Sequence, residues 1–196
     1  MDWSAGYREY APPPALAHAL SCVWVSVTPA AGAPATRVLP DACTDLIWLS
    51  GHGVSLAGPD TGPVLAPSPP GSVLAGVRFR PGAGGPALGL PLSALLDQRL
   101  EPGDLRAGLP GGRGAELSRV HGGLAPDEAL HRLVGLAGGL VTDAAPDPLV
   151  AAAAARLGRP GARVGRVARD LGISERQLHR RCVAAVGYGP VLLPLT

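Results

Sequence analysis

Val167-Ala168-Arg169-Asp170-Leu171-Gly172-Ile173-Ser174-Glu175-Arg176-Gln177-Leu178-His179-Arg180-Arg181-Cys182 is the stretch that decides how the chain ends. Just before and through its first part, Val164, Val167, Ala168 and Leu171 recur at i, i+3, i+4 and i+7, the stripe of a helix with one buried face. Leu171-Gly172-Ile173-Ser174 then reads as a tight turn, with Gly172 suited to a left-handed position that a β-carbon disfavours. Ser174 with Gln177 three residues on makes a capping box that opens a second helix. Leu178, Cys182 and Val186, at i, i+4 and i+8, turn its apolar side inward. Upstream, Leu149 to Leu157 is an alanine-rich helix closed by Gly158 and Pro160.

Helix, glycine turn and capped helix together form a helix-turn-helix, whose second helix lays its first turns in the DNA major groove. Arg176, His179 and Arg180 share its outward side. Arginine presents paired donors to a guanine edge, and histidine can donate or accept on a base edge. The amide end at Ser174, with Arg181, suits phosphate contact, and Gln177 flanks the base-facing group. Ser174, Arg176, Gln177, His179, Arg180 and Arg181 are therefore the candidate DNA-binding residues. The plainer alternative is an αα-hairpin with a solvated charge run; the turn, the cap and the Arg/His face together favour DNA.

Charge distribution points the same way. The chain of 196 residues carries a formal charge of +2, its 17 basic residues are all Arg, and Asn is absent, which reads as codon bias. Up to Pro148 there are 9 Arg against 13 acids, or −4; from Leu149 onward there are 8 Arg against Asp170 and Glu175, or +6. A basic tail on an acidic body calls for an anionic partner.

Working further toward the N-terminus, the pattern becomes β. Ser21 to Val27 and Thr44 to Leu49 are rich in β-branched and aromatic residues, with Trp24 and Trp48 placed as core. Val54–Ala57 and Val64–Ala66 are short candidates, and Ser72 to Arg80 stops at Pro81-Gly82. Short strands bounded by the abundant Gly (28) and Pro (22) suggest a small barrel or sandwich rather than βαβ units. After Pro86 the chain turns helical: Pro91 to Leu100 and Glu116 to Val120 as short helices, Pro126 to Leu136 as a firmer one. Asp127 and Glu128 favour its first turn, and Gly138-Gly139 weakens its end. Thr142 to Pro148, with two prolines, reads as the linker.

These residues also resemble a known family. The segment quoted above, followed by Val186-Gly187-Tyr188-Gly189-Pro190, is similar to the first helix-turn-helix of the AraC/XylS-type transcriptional regulators. The likeness places Arg176, His179 and Arg180 at base-facing positions of the recognition helix. Cys182 stands where the family usually has Phe; the smaller group should loosen the packing by roughly 1–3 kcal/mol unless neighbours fill the space. Tyr7 to Pro13, Cys22 to Val25, Arg37 to Asp41 with Asp45 to Trp48, Gly58 to Thr61, and Gly76 to Gly82 look like the sensor domain of one branch of that family. That resemblance implies a cupin-like β-barrel and a small-molecule effector. The chain leaves the family pattern after Gly189-Pro190, before the connecting helix and second helix-turn-helix, and Pro194 would break such a helix. A C-terminally truncated regulator is the expectation, with weaker and more salt-sensitive DNA binding unless chains pair.

Other constellations lead nowhere as sharp. Asp41, Asp45, His52 and Asp60 can be drawn as a metal or acid/base cluster, but one His without an HxH pair favours ordinary turn and strand-end acids. Arg78 and Arg80, of like parity on the last strand, are the candidate ligand-binding residues for an anionic effector; pairing with Asp41 and Asp45 is the alternative. No Gly-rich run leads a strand into a helix, and Cys22, Cys43 and Cys182 form no CxxC pair. No catalytic residue, metal or cofactor is assigned, and an enzyme is not expected.

The expectation is an α+β chain: a small N-terminal cupin-like β-barrel with helices over 1–145, serving sensing and dimerisation, and an all-α partial DNA-binding domain over 146–196. It would be a cytoplasmic bacterial regulator that binds double-stranded DNA, without a membrane span or secretion signal. A homodimer would set two recognition helices about 34 Å apart. The rival is a ligand-sensing or dimerisation module that has lost independent DNA binding through truncation.

Overall fold

Residues 73–79 show how the sheet is made. Val73, Ala75, Val77 and Phe79 alternate with Leu74, Gly76 and Arg78, and in an extended chain such alternation sends the two sets to opposite faces. The apolar set is sealed: Ala75, Val77 and Phe79 are fully buried. The computed structural model describes residues 1–101, 104, 109, 112–142 and 146–191. In it this strand, β7 (Val73–Phe79), is central to a six-stranded antiparallel sheet.

The other strands are β1 (Gly6–Tyr10), β2 (Leu20–Val27), β3 (Thr36–Val38), β4 (Thr44–Leu49), β5 (Gly53–Ala57), β6 (Val64–Ala66) and β8 (Arg99–Leu100). The sheet runs β1-β2-β7-β4-β5-β8, and β3 pairs with β6 in a separate two-stranded ribbon. Among the described residues the ladders do not close on themselves, so the α+β class holds with an open sheet where a barrel was expected. β1, β3 and β8 are strands that periodicity alone did not reveal. They are short, exposed on one side and rich in polar residues, so their pairing rather than their composition makes them strands.

The helices are α1 (Gly84–Leu88), α2 (Arg113–Leu117), α3 (Pro126–Thr142), α4 (Pro148–Leu157), α5 (Val164–Asp170) and α6 (Glu175–Val186). α3 lies on the sealed face of the sheet and buries Ala129, Leu130, Leu133, Ala137, Leu140 and Val141. It runs straight through Gly138-Gly139, where weakening was expected. Each glycine costs about 1 kcal/mol in a helix, whereas burying a leucine or valine gains roughly 1.5–3 kcal/mol; Leu140 and Val141 outweigh the pair.

Two other helix expectations shift. Pro91 to Leu100 contains only a 3₁₀ turn, Leu92–Leu95, because Asp97 takes a left-handed φ of 56° and turns the chain into β8. The helix expected at Glu116 to Val120 begins earlier, at Arg113, and ends at Leu117. The expected linker, Thr142 to Pro148, starts at the last residue of α3 and ends at the first of α4; its residues 143–145 lie outside the described residues. No helix among the described residues is long and apolar enough to cross a membrane.

The hydrophobic interior falls into two clusters. The larger joins the sheet to α3; the smaller gathers Val150, Ala153, Leu157, Val167, Leu178, Cys182 and Val186 from α4, α5 and α6. Ala42 is buried in the smaller cluster and Leu96 packs against it, so the N-terminal part reaches into the tail.

Candidate nucleic-acid interface

α5 ends as its glycine dictates. Gly172 has φ 71°, the Ile173 N–H bonds the Ala168 carbonyl at 3.0 Å and the Gly172 N–H bonds that of Arg169 at 3.0 Å. This pair of bonds is a Schellman closure, satisfying carbonyls that the helix end leaves open. Two residues later Ser174 caps α6: its Oγ accepts from the Gln177 N–H at 3.2 Å, and its own N–H donates to Gln177 Oε1 at 2.8 Å. Both halves of the capping box are made. Leu178, Cys182, Ala185 and Val186 then bury one side of α6, which leaves Arg176, Gln177, His179, Arg180 and Arg181 exposed.

The six candidate residues do not stand alike. Arg176 and Arg180 make no hydrogen bond or ion pair among the described residues, and their guanidinium groups are free for an anionic partner. Ser174 and Gln177 hold each other in the cap, so the Gln177 carbonyl oxygen is occupied. The His179 ring lies against Gly189. Arg181 is tied elsewhere: its Nη1 donates to Asp147 Oδ2 at 2.6 Å. Asp147 uses its other oxygen to cap α4, accepting from the Leu149 N–H at 2.9 Å. One carboxylate thus joins the start of α4 to the middle of α6. On the neighbouring helices Arg159, Arg163, Arg166 and Arg169 are exposed as well, so the basic character extends beyond α6.

Burial fixes the chemistry of Cys182. Desolvation, with a smaller contribution from Asp147, pushes its thiol up to about 11, so it stays protonated and packs as a small apolar group. Beyond it, α6 runs alongside α1. Arg180, Arg181 and Ala184 face Gly85, Gly89 and Leu90 across an open groove of about 680 Å³.

The second candidate site is the outer face of the sheet. Arg78 stands directly opposite Asp45 on β4 and Cys22 on β2. Its Nε donates to Asp45 Oδ1 at 3.1 Å, and its Nη1 pairs with Glu9 at 3.4 Å and Asp41 at 3.5 Å. Asp45 also accepts from the Trp24 indole N–H at 3.1 Å. Burial raises the Asp45 carboxyl above its ordinary value, against the pull of Arg78. Burial works against the Arg78 charge too, but Asp45 and Asp41 more than offset it and hold the guanidinium protonated. Tyr7, still 52% exposed, lies against Trp24 with ring centroids 5.7 Å apart and planes tilted by 39°, and donates to Glu9 at 2.6 Å.

Of the two readings of Arg78, the geometry gives it the pairing with Asp41 and Asp45 rather than an anion site shared with Arg80. Arg78 is enclosed by three carboxylates, which leaves its surroundings negative on balance. Arg80 lies past the end of β7 and donates its Nε to the Ala17 carbonyl at 2.8 Å. The two do not form a shared site. Asp41 and Asp45 meet at Arg78, but His52 and Asp60 do not join them: Asp60 pairs with Arg99 at 2.6 Å, and His52 stays beside the Ser50 carbonyl. Among the described residues no group of three His, Cys, Asp or Glu side chains is placed to hold a metal ion.

Residues 8–101 match the family model described as a domain of unknown function, DUF6597. The match covers a little under half of the chain. No curated protein and no solved structure matches the chain. The matched stretch takes in most of β1, all of β2 to β7 and the charged residues Glu9, Asp41, Asp45 and Arg78; α2 to α6 lie beyond it. Glu9 and Tyr7, both on β1, escaped the reading of the sequence as neighbours of this cluster. Only cross-strand register brings them to Arg78, and β1 had no periodic signal to supply that register. Asp147 escaped for a different reason: an acid before Pro148 is visible as a helix cap, but its ion pair with Arg181 spans 34 residues.

Proposed function

We propose that the protein is a DNA-binding transcription regulator of the AraC/XylS type, gripping double-stranded DNA through α5 and α6, with the DUF6597 domain as its sensing part. The observation that carries this reading is the unpaired, exposed Arg176 and Arg180 on the first turns of a helix capped by Ser174 and Gln177 and preceded by a Gly172 turn. Arginines placed so can reach guanine edges, while Ser174 sets the amide end of α6 toward a phosphate. A small-molecule effector and a second copy of the chain are the further partners of this reading, and the setting is the bacterial cytoplasm. No chemistry on a substrate is proposed.

Fluorescence anisotropy on labelled promoter DNA from the neighbouring genes is the test. Replacing Arg176 and Arg180 together by Ala should weaken binding by roughly a hundredfold, since each good arginine–base contact is worth about 1–3 kcal/mol. Unchanged affinity would remove α6 from the interface.

A second reading is favoured by one observation. Arg181 is held by Asp147 and the later turns of α6 run beside Gly85–Pro91, so a duplex following α6 past Arg180 meets the sensing part. In that reading the chain is a sensing or dimerisation module without its own grip on DNA. A salt titration separates the two: a phosphate grip loses affinity steeply as salt rises, and a module without one shows no such slope.

A further inference from the structure

Between β3 and β4 the chain makes a turn that touches both candidate sites at once. Asp41 works with both carboxylate oxygens: Oδ1 accepts from the Cys43 N–H at 2.9 Å, and Oδ2 pairs with Arg78 Nη1 at 3.5 Å. The next residue, Ala42, has a φ of 58°, a left-handed conformation that its Cβ disfavours. Ala42 is nevertheless 2% exposed, and what buries it is the helical tail: it belongs to the cluster of Val150, Cys182 and Tyr188. Tyr188 comes just after Gly187, the cap of α6, and brings its hydroxyl to the Ala42 backbone. That hydroxyl is buried without a hydrogen-bond partner of normal geometry among the described residues. Nearby, Gly187 sits against Pro59, Leu92 and Leu96. A strained residue persists only where its surroundings hold it, and here one side is held by the sheet and the other by the tail.

We propose that the Asp41–Cys43 turn is the coupling element of the molecule: Arg78, by holding Asp41, keeps Ala42 in its left-handed seat and the helical tail docked on the sheet domain. Whatever draws Arg78 away from Asp41 lets Ala42 relax, withdraws it from the tail cluster and frees α6 from Gly85–Pro91. The docking itself follows from contacts within the chain. Its regulatory meaning rests on the DNA-binding reading above, because only then does freeing α6 change an output.

Asp41→Asn tests the proposal cleanly. Asparagine keeps the oxygen that accepts from Cys43 and replaces the one facing Arg78 with an amide that cannot pair with it. Backbone amide hydrogen exchange on the full chain should quicken by roughly fivefold across 182–188, the size expected for losing one half-buried ion pair. Amides at 23–25 and 75–77, in the middle of the sheet, exchange only by global unfolding and should stay slower than those at 182–188 in the native chain and in the variant. Unchanged exchange at 182–188, or native rates there as slow as in the sheet, overturns the coupling. Should Asp41→Asn fail to fold, Ala42→Leu, too large for its seat, must give the same localised pattern; uniform exchange there overturns the coupling too.

DNA affinity is read separately on the same variants. Linkage requires that a tail freed roughly fivefold more often binds DNA more tightly by a similar factor. Localised exchange with unaltered affinity on DNA that the native chain binds overturns the regulatory half. If neither form binds DNA while exchange at 182–188 rises, the coupling stands and the DNA reading falls.

Discussion

Gly76 shows how one missing side chain shapes the outer face of the sheet. A Cβ built there would lie 2.2 Å from the Trp24 ring, so the indole rests on the bare backbone of β7 and from that seat reaches Asp45. Alanine at 76 would favour the extended backbone by about 0.5–1 kcal/mol relative to glycine. Against that stand the displaced indole and its lost hydrogen bond to a buried carboxylate, together about 3 kcal/mol. The expected net effect of Gly76→Ala is a loss of about 2 kcal/mol in urea unfolding, with Trp24 emission shifted to the red; an unshifted spectrum at native stability would refute the packing. Cys182 tells a related story about volume. The small side chain is fully buried, in the cluster that also holds Ala42 and Tyr188. Cys182→Phe should accordingly overpack the tail and cost about 1–3 kcal/mol, measured as a lower urea midpoint at constant slope.

Among the elements, α6 is the one whose sequence and structure agree at nearly every residue. Its start is fixed by a local reciprocal hydrogen bond, its inward face by spacing, and the preceding turn by the one residue that accepts φ 71° without strain. Ser174→Ala removes the Oγ half of the capping box, leaves the Ser174 N–H bonded to Gln177 Oε1, and should lower stability by about 1 kcal/mol, which for a chain of this size lowers the melting temperature by about 2–4 °C. A melting temperature that does not move would mean that α6 is held by its buried face alone. α3 makes the opposite point. Its glycine pair argued for an early end, yet the sheet face it covers supplies enough burial to carry it to Thr142. β1 and β8 go further still, for neither composition nor alternation marks them and only the neighbouring strand makes them extended.

For the whole molecule, the two hydrophobic clusters are distinct, but the tail cluster includes Ala42 from the N-terminal part. Trp3, Trp24 and Trp48 all lie in the N-terminal part, whereas α4, α5 and α6 make up the tail. With Ala42 seated in the tail cluster and Leu96 against it, tail and sheet should unfold together. Tryptophan fluorescence and far-ultraviolet circular dichroism are expected to give coincident urea transitions; separate midpoints would show the tail to be an independent unit. The same contacts set what could be known in advance. Helix-turn-helix geometry, the cap, the buried stripe and five of the strands depend on interactions a few residues long, and those are written in the order of the residues. The enclosure of Arg78 by Glu9, Asp41 and Asp45, the tie from Asp147 to Arg181, and the seat of Ala42 beneath Tyr188 depend on segments tens of residues apart. Charge and spacing left Arg78 as either a ligand for anions or a partner of Asp41 and Asp45; the register of β1, β2, β4 and β7 chose the second and added Glu9. Local hydrogen bonding and periodicity are properties of a sequence, but which distant charges come within 4 Å of one another is settled only when the sheet has chosen its pairings.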